Sequence, residues 1–596
     1  MILSICYVFV FIVSIILITL IKKSCKPVNA IAMLFSSFVA LLSYDALCAL
    51  AMTIIRIPVD LFSIMICNIL LIAVIALIII KRKGREVFYL PYVDLLFTFL
   101  LFIIVFSVGY HIFNGFTIGY NSGDSTNHFT FAMRTLLTKR VSAMFFNPLY
   151  NALFTEVCAP FIRASRIFIP ITISDTFMLF CVAEMIYLVI TQRIKSNIHK
   201  ALAFIITVLC IFGYPMYSYS VGGFLYLTCA LFISCYIIYW LRQYAIGEFK
   251  NSTCLLFIVT GCISLVFTYA VIAPLVIGAV IITLSIHRFA QLTTKERKKF
   301  LMVLFVCVIA TSVFMIIIIV LYLKAEGQPV SIGSAIHFFT QAFRSDGYMY
   351  SRVYSDLLFL FPAIIVAMIR APKNKDVVDS FTFFYVLFVI ICFLLCAKGY
   401  MSGYYYFKTY FILWILGWIC VGNWIFDSSQ AIANRIAYFS TIIFICLTSF
   451  FSIENRIYCN YDNIASHHEG FVEEAKIYLR VHDSIFKEYD SWWMTDDYMQ
   501  ILEYFMDENP DKNCALIADK DDSNVELTIQ HKLFEYITGD FTRPLSEYDR
   551  DTIRHNFSAL ALHRKSQYVA SHKDWFDDLD VLFENDTFIV VSTDGL

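Results

Sequence analysis

The sequence predicts an α-helical, polytopic membrane protein of about fourteen transmembrane helices with a C-terminal extracytoplasmic α/β domain. Three observations carry this expectation. The 596-residue chain is 60% hydrophobic and 15% charged, with mean hydropathy +0.73, whereas soluble domains carry about 25% charged residues. Apolar runs of about 20 residues, the length needed to cross a hydrocarbon core of about 30 Å, recur from residue 3 to residue 453. Beyond residue 453 the composition turns acidic and soluble-like, with "DSWWMTDDYM", "DENPDKNC" and "DKDDSN".

The apolar runs place spans at 3–21, 28–54, 60–80, 91–112, 172–192, 201–217, 222–241, 252–270, 272–287, 300–323, 354–370, 380–397, 405–426 and 436–453. The first lacks a basic lead-in and a small-residue cleavage site and is followed by Lys22, Lys23 and Lys26, so it reads as a retained anchor. Lys and Arg favour cytoplasmic loops. Alternate connections hold the basic residues, among them Lys81, Arg82 and Lys83, then Arg193, Lys195 and Lys200, then Arg370, Lys373 and Lys375. The other connections are nearly free of them. This asymmetry assigns the N-terminus, the loops 113–171, 324–353 and 398–404, and the tail to the extracytoplasmic side.

That parity requires residues 148–170, "PLYNALFTEVCAPFIRASRIFIP", not to cross. They carry Glu156, Arg163 and Arg166, and a charge at the bilayer centre costs about 2.5–3.5 kcal/mol on insertion scales. An interfacial helix is expected instead. The chain thus divides into a membrane domain, 1–453, with an external loop at 113–171, and a tail domain, 454–596. In the tail, "CALIAD", "QYVAS" and "TFIVVST" read as strands and 469–488 and 495–507 as helices. Asp519, Asp521 and Asp522 lack the glycine and ligand spacing of a calcium loop and read as a solvated turn.

A net charge of -1 gives no basic excess for nucleic acid. Most of the 18 cysteines lie inside apolar runs, as small buried hydrophobes do, with no CxxC pair; Cys459 and Cys514 of the tail are the pair that an oxidising compartment could join.

The external loop carries the candidate chemistry. In "GYNSGDSTNHFTFAMR", Asn121, Ser122 and the glycines favour a turn, and apolar spacing from Ser125 onward predicts a helix. Asp124 stands at its start and is accounted for by N-capping, or by chemistry. His128 follows one turn later, at a position an interfacial histidine also fits. Lys139 and Arg140 come next, then "NPLYNAL", 147–153. A second stretch, "AKGYMSGYYYFKTYFILW", places Lys398 and Lys408 around Tyr404 and Tyr405. It combines cations for a phosphate with aromatic faces for a sugar or isoprenoid; a Tyr/Lys interfacial belt explains the same residues. The loop 324–353 adds His337, Arg344, Asp346 and Arg352, a mixture fit either to bind phosphate or to form a lid.

This order of features, an external loop with an early acidic residue followed by a "PPLYYWL"-like interfacial helix, resembles the GT-C superfamily of integral-membrane glycosyltransferases, which use polyprenyl-phosphate-linked sugars. Asp124 and His128 match an Asp-x-x-x-His variant of bacterial members; Ser125 stands where a second acidic residue is usual, and Asn147 replaces a proline. The resemblance implies a polyprenyl-phosphate-linked sugar as donor, membrane lipid as surroundings, and a glycan, lipid or protein as acceptor. It implies Asp124 as base, His128 as its orienting partner, and transfer with inversion. Lys398, Lys408, Arg344 and Arg352 would then bind the donor phosphate, and Tyr404 and Tyr405 the sugar or lipid. Some members use magnesium or manganese, but one carboxylate and one histidine are too few to assign a metal site. The competing readings are a polysaccharide polymerase or ligase, a transporter or flippase of lipid-linked sugars, for which Asp45 and Glu184 lie inside expected spans, and a scaffold acting through its tail.

Overall fold

The computed structural model describes residues 1–20, 28–81, 88–113, 115–116, 123–141, 149–212, 225–246, 251–269, 271–288, 360–374, 376–426, 496–509, 514–517 and 550–595, with isolated positions between 293 and 331. Apolar helices dominate the part before residue 427. They are α1 (Ile2–Leu20), α2 (Ala30–Ile55), α3 (Leu61–Ile80), α4 (Tyr92–Ile112), α5 (Gly123–Thr138), α6 (Leu149–Cys158), α7 (Ile169–Thr191) and α8 (Asn197–Phe212). The series continues with α9 (Leu225–Ile246), α10 (Asn251–Thr268), α11 (Ala273–Arg288), α12 (Phe361–Asn374), α13 (Val377–Ala397), α14 (Gly403–Lys408) and α15 (Tyr410–Ile425).

Among the described residues six helices are long and apolar enough to cross a membrane: Ile2–Leu20, Ala30–Ile55, Leu61–Ile80, Tyr92–Tyr110, Ala164–Thr191 and Val377–Ala397. This is fewer than the fourteen runs counted in the sequence. Five of those runs form shorter apolar helices, such as Asn197–Phe212 and Tyr410–Ile425; their 16 residues rise only about 24 Å. The run at 222–241 becomes α9, whose last turns carry Arg242 and Gln243. The expected spans 300–323, apart from scattered positions, and 436–453 lie outside the described residues.

The centre is α7. In its most apolar stretch 89% of residues are buried, against 17% for α3, so α7 is walled by protein and α3 presents its Ile and Leu side chains outward. Trp240, Trp414 and Trp418 fill the interior. The indole N–H of Trp240 donates to Ser36 Oγ at 2.8 Å and that of Trp414 to the Cys210 carbonyl at 2.9 Å, which satisfies polar atoms that an apolar interior penalises.

Charged groups collect at the two ends of this bundle. At one end Asp376, the N-cap of α13, accepts from Arg193 at 2.6 Å and Arg242 at 3.4 Å, while Asn423 accepts from Arg242 at 3.0 Å. At the other, the Glu156 carboxylate of α6 accepts from Lys139 at 2.8 Å and from the Leu61 N–H at the start of α3 at 3.2 Å. Asp60 and Ser63 add a reciprocal capping box to the same helix start.

The tail contributes helix α16 (Asp496–Glu503), a π-turn over Tyr504–Glu508 and a four-stranded sheet of order β3-β4-β6-β5, numbered after a short parallel pair β1 (Val28–Asn29) and β2 (Phe88–Tyr89). Strands β3 (Cys514–Ile517) and β4 (Ala559–His563) run parallel, and β6 (Phe588–Ser592) is antiparallel to β4 and to β5 (Val581–Glu584). Three expectations hold here, "CALI" and "FIVVS" as strands and a helix from residue 496. One is corrected: "QYVAS" is a helix, Gln567–Ser571, because Ser566 accepts the Val569 N–H at 3.2 Å and caps it. The strand in that region is instead "ALALH", buried at every position. Cys514 is buried in β3, and Cys459 lies outside the described residues, as does the helix expected at 469–488.

Helix α16 and the π-turn dock beside Ala164–Arg166, with Arg166 bonded to Glu503 at 2.9 Å and Ser165 to Asp507 at 2.6 Å. This contact lies at the α6 end of the bundle.

Candidate functional site

Between α4 and α7 the described residues form helices where the apolar spacing predicts them. Helix α5 buries Phe129, Ala132 and Met133 against the core and leaves Arg134 exposed. It begins at Gly123, so Asp124 lies in its first turn and His128 one turn further on; their side chains are outside the described residues. Helix α6 has 10 residues and rises about 15 Å, half of what crossing requires. It ends at Cys158, and the chain turns through Ala159–Phe161, which holds Pro160, and Ala164–Arg166 before it passes into α7. Residues 149–168 are therefore a short helix and two turns, a shelf that leads into α7.

Of the phosphate-binding candidates, Lys398 closes α13 and is exposed. Gly399 follows with φ +74°, a left-handed conformation that turns the chain sharply toward α14. Lys408, at the end of α14, is only 3% exposed. Its ammonium lies 5.6 Å from the ring centroids of both Tyr269 and Tyr405, within cation–π range. Lys408 and Tyr405, one helical turn apart, thus meet, and Tyr269 joins them from another helix. The Tyr404 side chain, Arg344 and Arg352 lie outside the described residues, with His337 and Asp346.

A cavity of about 640 Å³ opens between α1, α2, α4, α6 and α7. Its wall follows α2 from Ile31 to Ala46, a depth of about 22 Å. Its outer part meets α6 at Leu149 and Tyr150 and α10 at Thr268, the neighbour of Tyr269. Leu34, Leu95 and Val8 on its margin are 49, 41 and 40% exposed, so the cavity has an apolar mouth on the flank of the bundle. Burial pushes the Tyr150 phenol well above its usual range, leaving it a neutral group on the cavity wall.

Among the described residues, three carboxyl groups inside the helical region have atoms with no hydrogen-bond partner: Asp45, Asp175 and Glu184. Glu184 does accept from Thr98 at 3.0 Å. Asp94 accepts from Lys200 at 2.7 Å and from Tyr187 at 2.8 Å. Such acids are expensive in a membrane and mark candidate functional positions; Asp45 and Glu184 are visible in the sequence as acids inside apolar runs, while the pairing of Asp94 with Lys200 is set only by folding. Among the described residues no three His, Cys, Asp or Glu side chains group as a metal site.

Compared with protein-family models, curated proteins and solved structures, the chain matches none.

Proposed function

We propose that the chain is a membrane glycosyltransferase that moves a sugar from a polyprenyl-phosphate-linked donor to a cell-envelope acceptor on the extracytoplasmic side. The carrying observation is the buried, tyrosine-flanked Lys408 near the outer part of a side-opening apolar cavity. A prenyl tail suits the cavity, and an ammonium withdrawn from water binds phosphate more strongly than an exposed one.

In this reading the acceptor oxygen forms a bond to the anomeric carbon as the bond from that carbon to the phosphate oxygen breaks. The acceptor proton passes to Asp124, oriented by His128, and the prenyl phosphate leaves with its negative charge met by Lys408, Lys398, Arg344 and Arg352. Tyr404 and Tyr405 hold sugar or lipid. The N-terminus and tail lie outside, and the spans number about fourteen. A second reading, a transporter or flippase of lipid-linked sugars, is favoured by the buried acids Asp175 and Glu184.

The test uses the full chain in nanodiscs with polyprenyl phosphate as binding probe and a radiolabelled polyprenyl-phosphate sugar as donor. Asp124→Asn should bind the probe normally and lose turnover. Lys408→Ala should weaken binding about tenfold, a change of about 1.4 kcal/mol, with Lys408→Arg retaining it. Normal turnover by Asp124→Asn would remove the catalytic assignment, and lipid movement without sugar transfer would favour the transporter.

A further inference from the structure

The same cavity contains a feature that neither a prenyl tail nor a phosphate explains. Asp45 lines it about midway along α2, is 3% exposed, and its Oδ1 has no hydrogen-bond partner. The polar groups near it are neutral, the Asn68 amide on α3 and the phenols of Tyr7 on α1 and Tyr44 on α2, and none of the described Lys, Arg or His side chains acts on it. A carboxylate held away from water is costly unless a cation accompanies it. The surrounding wall is aromatic: Phe35, Phe38, Phe177, Phe180 and Tyr7 belong to it. Aromatic faces attract cations and gain most when both are desolvated.

We propose that this cavity is a binding site for a lipophilic cation, an ammonium- or phosphonium-type amphiphile, with Asp45 as its counter-ion and the Phe cluster as its cage. The three properties required of the site are all present. The volume of about 640 Å³ lies within the range of drug-sized ligand sites, about 300–1,000 Å³. The mouth beside Leu34 and Leu95 gives entry from the hydrocarbon, where such ligands concentrate. The carboxylate selects charge, since an anion of the same shape meets Asp45 at close range and is repelled. The proposal rests on the cavity and not on the transferase reading, whose phosphate site is Lys408, outside the cavity wall.

The experiment measures binding of tetraphenylphosphonium and of its isosteric anion tetraphenylborate to the full chain in nanodiscs, with empty nanodiscs subtracted. Saturable tetraphenylphosphonium binding in excess over tetraphenylborate is expected. Asp45→Asn should weaken it about tenfold or more, about 1.4 kcal/mol per decade; Asp45→Glu should keep the preference for the cation, and Phe38→Leu should weaken binding of the cation without making the anion competitive. Equal binding of the two ions by the unaltered chain overturns the proposal whatever the variants do. So does undiminished cation binding by a folded Asp45→Asn. Polyprenyl phosphate binding, weakened about tenfold in Lys408→Ala but not by the charge loss in Asp45→Asn, separates failure here from failure of the transferase reading.

Discussion

Replacing Asp376 tests whether the basic end of the bundle is held by one carboxylate. Arg242 is 2% exposed and bonds to Asp376, to Asn423 and to the Val189 carbonyl at 2.9 Å. Removing one partner of a buried ion pair costs about 3–5 kcal/mol. Because Val189 and Asn423 still hold Arg242, the lower figure applies, about 3 kcal/mol. Asp376 also accepts the Val378 N–H at 2.9 Å as N-cap of α13, a further loss of about 1 kcal/mol on substitution by Ala. Its contact with Arg193 adds little, since that side chain is 50% exposed. Asp376→Ala should therefore destabilise by about 4 kcal/mol, and Asp376→Asn, which keeps the cap, by about 3 kcal/mol. The measurement is unfolding in mixed micelles followed by far-UV ellipticity. Burial acts to raise the Asp376 carboxyl, but Arg242 and Arg193 outweigh it and hold it below the usual carboxylate range. A carboxyl depressed in the folded state stabilises above its unfolded value, about 3.9, and loses that contribution as pH falls through the folded value. The gap between the native chain and Asp376→Asn should accordingly close on acidification below about pH 4. Losses under about 1 kcal/mol for both variants at neutral pH, outside the range for breaking a buried pair, would refute the reasoning.

Two further outcomes follow from the packing. Glu156→Ala should cost about 1–2 kcal/mol by stripping the Leu61 N–H of its acceptor and Lys139 of its partner, whereas Glu156→Gln, which can still accept, should cost less than about 1 kcal/mol; the same micelle assay reads both. A Cβ at Gly417 would lie 2.8 Å from Leu360 Cβ and 2.9 Å from its Cδ1, so Gly417→Ala should destabilise by about 1–3 kcal/mol through overpacking. Combining it with Leu360→Ala should cost less than the sum of the two, and strict additivity would show that the two residues do not meet.

Much of the architecture is legible in the sequence because lipid imposes one rule, that backbone polar groups be satisfied within the segment. The runs that became α1 to α4 and α13 are visible for that reason, and Glu156 and Arg166 identify the shelf because charges resist crossing. The number of crossings is less legible. Hydropathy marks an apolar run such as 201–217 or 272–287 without showing whether it stays helical for 20 residues or is walled by protein instead of lipid, and α8 and α11 stop at 16. In the tail, "QYVAS" and "ALALH" have similar apolar content; a capping serine and burial on a sheet separated them. The site is partly legible. Lys408 and Tyr405 are neighbours in sequence and meet in space, but Tyr269 comes from another helix, and the mouth of the cavity is a gap between helices far apart in the chain.

The two ends of the bundle also bear on the orientation of the tail. Asn423 sits with Arg242 and Asp376, and Phe426 stacks on His199 at 5.2 Å, so α15 finishes at the basic end. Asp496–Glu508 is fixed to Ser165 and Arg166, just before α7 begins, and α7 runs 23 residues, about 35 Å, before reaching Arg193 at the basic end. Phe426 and Asp496 thus lie at opposite ends of the bundle. The shelf and the tail are therefore held together by their own ion pair, Arg166 with Glu503, at the end of the bundle opposite Phe426.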